Sequence, residues 1–92
     1  MEEIIVQETM KVLADWNPLG DDASDVSDLD NYRAEASDIL FHIDIENADT
    51  VPKISTLIKN ILNDAFDMFL TRDECKPIAK QIYEIAKKAK YI

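Results

Sequence analysis

The chain has 92 residues, 47% hydrophobic and 32% charged, a balance that excludes a disordered chain and leaves room for a single hydrophobic core. One Gly and three Pro supply few turn formers, so a sandwich of many short strands is excluded in favour of long helices. The net charge of −9 argues against nucleic acid, which is held through Lys and Arg at the phosphates. No run of about 18 apolar residues is present to span a membrane.

The acidic start Met1-Glu2-Glu3 lacks the basic residues that open a secretory signal, and no small-residue cleavage site follows; a cytoplasmic protein is expected. The single Cys75 forms no internal disulfide, in keeping with a reducing compartment.

In residues 3–16, Val6, Met10, Leu13 and Trp16 recur at helical spacing, with Ile5 and Val12 widening the stripe and Glu8, Lys11 and Asp15 opposite. Pro18 disfavours helix at Asn17 and Gly20 admits positive φ, so this helix should stop at Trp16 or Asn17. An acidic loop over 21–28 follows. Ser27 or Asp28 suits the start of a second helix by accepting from free N–H groups. Leu29, Tyr32, Ala36, Ile39, Leu40 and Ile43 then share a face, which carries the helix to about His42. Phe41 to Ile45 alternates apolar and polar, which permits a short extended piece; on a continued helix, Phe41 and Ile45 lie opposite the core stripe.

A third helix is expected after Pro52, with Ile54, Leu57, Ile58, Ile61, Leu62, Ala65, Met68 and Phe69 on one side and Lys53, Asn60, Asn63, Asp64 and Asp67 on the other. Thr71-Arg72-Asp73-Glu74 matches a capping box. Cys75, Ile78, Ala79, Ile82, Ile85, Ala86 and Ala89 give a fourth stripe. Pro77 conflicts with it, so a distorted first turn, or a helix proper beginning near Lys76, is expected. Four such helices bury their stripes as an all-α, compact four-helix up-and-down bundle, one domain over residues 1–92.

Trp16-Asn17-Pro18-Leu19-Gly20 at the end of the first helix, Tyr32 with Glu35, Asp38-Ile39-Leu40, and Glu74-Cys75 followed by Ile78-Ala79 and Ile82 together resemble the YugE-like family of small bacterial proteins, domain of unknown function 1871. The resemblance covers nearly the whole chain and implies a small all-α bacterial protein with no assigned activity. The loop Asp21 to Asp28 departs from that pattern in being longer and more acidic.

Charge is divided unevenly. Residues 1–50 hold fourteen acids against two bases (Lys11, Arg33), giving −12, and residues 51–92 hold five acids against eight bases, giving +3. An acidic half attracts a basic protein and speeds its approach. Asp21, Asp22, Asp25, Asp28 and Asp30 are oxygen donors of the type Ca²⁺ prefers, but Tyr32 and Arg33 occupy positions where a calcium loop needs a ligand and a glycine. A solvated loop with helix capping is the simpler reading. His42 lies two turns after Glu35, about 10 Å along the axis, too far for a direct pair, and reads as a boundary histidine. Cys75 reads as a small apolar core residue. Trp16, Tyr32 and Glu35 either form an exposed aromatic patch or close the core with a polar partner, and the second is favoured. Lys76, Lys80 and Lys87 form the wet face of the fourth helix.

No catalytic set, metal site or cofactor site is assigned. The expectation is a non-enzymatic module that engages a basic protein partner through Asp21, Asp22, Asp25, Asp28, Asp30, Trp16, Tyr32 and Glu35, with an immunity-type toxin inhibitor as a concrete form. An acyl-carrier domain is disfavoured because Ser27-Asp28-Leu29 has the wrong order for a modifiable Asp-Ser-Leu.

Overall fold

Each apolar stripe forms a helix in a computed structural model that describes residues 3–16 and 32–91: α1 (Glu3–Trp16), α2 (Arg33–Glu46), α3 (Val51–Phe66) and α4 (Arg72–Lys88). No strand occurs among the described residues. α3 packs on both α2 and α4, and α1 closes the ring against α2 and α4. Leu13, Ile39, Leu40, Ile43, Ile54, Ile58, Leu62 and Ile82 meet at the centre with no solvent exposure. α4 contributes Ala79 and Ala86 to the same core, small side chains that leave room for the larger ones facing them.

α1 is described as far as Trp16; Asn17 to Gly20, where its end is expected, lie outside the described residues. α2 departs from expectation at both ends. Tyr32 is left-handed, with φ 66 and ψ 7, so a helix from Ser27 or Asp28 cannot run through it, and the first α2 bond is Ala36 N–H to the Tyr32 carbonyl at 2.7 Å. At the far end the helix passes His42 and runs to Glu46, so the alternating stretch Phe41 to Ile45 is helical: Ile43 turns into the core while Phe41 and Ile45 face outward.

α3 buries Ile54, Ile58 and Leu62 and half-buries Leu57 and Ile61, but Ala65 and Phe69 of the expected stripe are exposed, Phe69 by 93%. The cause is local. Asp67 takes a left-handed conformation and the Asp67 and Met68 N–H groups both bond to the Asn63 carbonyl, which ends the helix and breaks its periodicity before Phe69. Asn63, expected on the wet side, is half-buried. Its side-chain carbonyl accepts from Leu70 N–H at 2.8 Å and its amide donates to the Leu70 carbonyl at 3.1 Å. That grip fixes the path from α3 to α4. Asn63→Ala removes both bonds at a partly buried site and is expected to cost about 1–3 kcal/mol in urea unfolding; a midpoint equal to that of the parent chain would show the grip to be idle.

The capping box is present: Thr71 Oγ1 accepts from Glu74 N–H at 3.2 Å, and the Glu74 carboxylate accepts from Thr71 N–H at 3.3 Å. α4 begins at Arg72 and runs through Pro77 without a break, which overturns the expected later start. Pro77 is exposed, and its missing donor leaves a single intrahelical bond unmade. Burial of Cys75, Ile78 and Ala79 on either side outweighs that loss.

Three helices close alike. Asn47, Asp67 and Lys90 are left-handed, and the next N–H reaches back to a carbonyl five residues earlier: Ala48 to Ile43 at 3.1 Å, Met68 to Asn63 at 3.3 Å, Tyr91 to Ala86 at 2.9 Å. These bonds satisfy carbonyls that the helix ends leave open.

Candidate functional site

α2 turns Ala36, Ile39, Leu40 and Ile43 into the core, so Asp38, Phe41, Asp44 and Ile45 point outward. Phe41 is 52% exposed and Ile45 53%. They stand four residues apart, adjacent on the helix surface. Acids flank them, with Asp38 one turn before Phe41 and Asp44 beside Ile45. The His42 ring meets Phe41 edge-on at 5.8 Å, and its Nδ1 pairs with Glu46. This outward face is an apolar pair framed by carboxylates.

The sequence reading tested His42 against Glu35; the structure pairs it with Glu46, four residues on and hence on the same face. Glu35 is half-buried. Burial, and secondarily the Asp38 carboxylate, raises its carboxyl above the ordinary range. The protonated form is therefore the one the fold prefers, and the stability it contributes is present at low pH and is lost as pH rises through the raised value. Tyr32 is 4% exposed, with its ring edge-on to Phe66 at 5.9 Å, and Trp16 is half-buried against the core. These two aromatics close the core and offer no exposed patch. Asp21, Asp22, Asp25, Asp28 and Asp30 lie outside the described residues.

Arg33 ties the two N-terminal helices together. Its guanidinium binds the Glu3 carboxylate and approaches Met10 Sδ, and that bond holds the Glu3 carboxyl below its usual range. Both side chains are substantially exposed, so the pair contributes little to stability.

Cys75 has no solvent exposure, and burial, with the Glu74 carboxylate adding to it, pushes the thiol up to about 11. The fold therefore favours the neutral thiol, and the stability this contributes falls as pH climbs from the ordinary thiol value toward 11. In native buffer at pH 8, modification by a disulfide reagent should track unfolding, and a chain unfolded in denaturant should react at once. Rapid native-state labelling would contradict this placement. Lys76, Lys80 and Lys87 are exposed, as expected of a wet face.

The model of a domain of unknown function, DUF1871, matches residues 8–92. The chain belongs to the DUF1871 family. No curated protein and no solved structure matches it. Within this DUF1871 domain no described helix is long and apolar enough to cross a membrane. Phe41 and Ile45 are the surface residues that sequence reasoning left out of the candidate site. The available signal was their position opposite the core stripe, visible only once the helix is carried past His42.

Proposed function

We propose that this protein is a non-enzymatic interaction module whose acidic N-terminal half docks a basic protein partner. The observation that carries this reading is the outer face of α2, where Phe41 and Ile45 stand exposed among Asp38, Asp44 and Glu46. Apolar residues in the middle of such a face supply affinity, while the surrounding carboxylates select and steer a cationic surface. Asp21, Asp22, Asp25, Asp28 and Asp30 of the preceding segment extend the same charge. Tyr32, being buried, is no longer part of the surface. A concrete form is an immunity-type inhibitor that covers a basic toxin, supported by size and charge alone. A non-enzymatic role is favoured because His42 is engaged by Glu46 at the surface and Cys75 is sealed in the core, which separates the two side chains that a nucleophile–base pair would need.

The test is co-purification from the native host, followed by measured binding of the recovered partner. Replacing Phe41 and Ile45 together by serine is expected to leave unfolding within about 0.5 kcal/mol per site, as for exposed positions. The same change should weaken the complex at least tenfold, and binding should weaken further as salt is raised. A complex indifferent to both the double substitution and salt would overturn the reading.

A further inference from the structure

The other half of the molecule holds a different feature. The start of α4 and the first half of α3 enclose a cleft of about 160 Å³ lined by Pro52, Ser55, Arg72, Asp73 and Lys76. At roughly 30 Å³ per water, it has room for about five waters and hence for a phosphoryl group. Ser55 forms its floor, 1% exposed, and its Oγ has no hydrogen-bond partner among the described residues. Two helical threonines behave differently. Thr9 and Thr56 each donate to the carbonyl four residues back, at 3.0 and 3.1 Å, whereas Ser55 does not make the bond that would satisfy it locally. A buried hydroxyl left open in this way calls for an acceptor inside the cleft.

The walls fit an anionic acceptor. Arg72 and Lys76 lie one turn apart on α4 and have no ion-pair partner within 4 Å among the described residues. The positive end of the α4 dipole adds to them. Asp73 is the one opposing carboxylate in the lining. A second, wider cleft of about 460 Å³ shares Arg72 and adds Thr56, Lys59, Leu70 and Thr71, which continues the cationic, hydroxyl-rich surface away from the floor.

We infer that this cleft binds a phosphoryl dianion, either free phosphate or the phosphoryl end of a monoester, held by Arg72 and Lys76 with the Ser55 hydroxyl donating from the floor. The wider cleft beyond Arg72 takes the organic part of a monoester. The reading concerns the C-terminal half and stands apart from the α2 face.

The experiment is an amide NMR titration of the full chain at pH 8 with inorganic phosphate and with glycerol 3-phosphate, against chloride at matched ionic strength. Saturable shifts centred on Ser55, Arg72, Asp73 and Lys76 are expected with both phosphates and not with chloride. Tighter binding of the ester assigns the wider cleft to the ligand, and equal binding assigns free phosphate. The double change Arg72→Ala with Lys76→Gln should weaken binding at least tenfold. Ser55→Ala should weaken it about tenfold without lowering the melting temperature of the free chain, since it removes an unsatisfied group. Asp73→Asn should tighten it. Shifts that never saturate, that match those from chloride, or that survive the Arg72 and Lys76 changes in chains whose melting is unaltered would overturn the site.

Discussion

Replacing Tyr32 by alanine is expected to lower the unfolding free energy by about 3–5 kcal/mol, the usual range for removing a buried aromatic ring. The ring is 4% exposed and stands edge-on to Phe66, a geometry that adds to simple burial. Against a total of about 5–15 kcal/mol for a domain of this size, that is a large fraction of the whole. The backbone supplies an internal control. Tyr32 sits at φ 66, where any residue with a Cβ is strained and glycine is not. Tyr32→Gly should therefore be less damaging than Tyr32→Ala, although glycine removes more side chain. Urea unfolding of the three chains checks the order, and an alanine variant equal to or better than the glycine one would show that the left-handed turn carries no strain.

Ile58→Ala is expected to cost about 2–5 kcal/mol, because α3 lies between α2 and α4 and a void at Ile58 has rigid packing around it. Ile58→Val should cost only about 0.5–1.5 kcal/mol, the lost methylene with a smaller void. Phe69→Ala, at a side chain 93% exposed, should change stability by no more than about 0.5 kcal/mol. Thermal unfolding of these three variants ranks them. A Phe69 effect rivalling that of Ile58 would mean that α3 is not the central packing element.

Local chemistry made much of this fold legible. Spacing of three and four located all four helices, Pro52 and the Thr71–Glu74 pair marked two of their starts, and both starts are observed. What escaped was decided by single backbone conformations. A left-handed tyrosine has no sequence signature, so the α2 start was placed too early. A left-handed aspartate at position 67 cut short a stripe that the periodicity carried on to Phe69. Pro77 misled in the other direction: an exposed proline flanked by buried side chains is carried by tertiary packing that no local rule weighs. The candidate surface was legible as charge but not as shape. The outward placement of Phe41 and Ile45 was legible as one of two alternatives, and the continuation of α2 to Glu46 decides between them; the cleft at Ser55 depends on α4 starting at Arg72 rather than near Lys76.

The way three helices end has a bearing on the chain's history of compromise. With one glycine in the whole sequence, the left-handed closures fall to Asn47, Asp67 and Lys90, residues that bear a Cβ where none is wanted. An engineer after a hardier version would leave the interior alone and work at these three corners first. Unused margin is stored there, at sites where the surface tolerates change and the framework has nothing to lose.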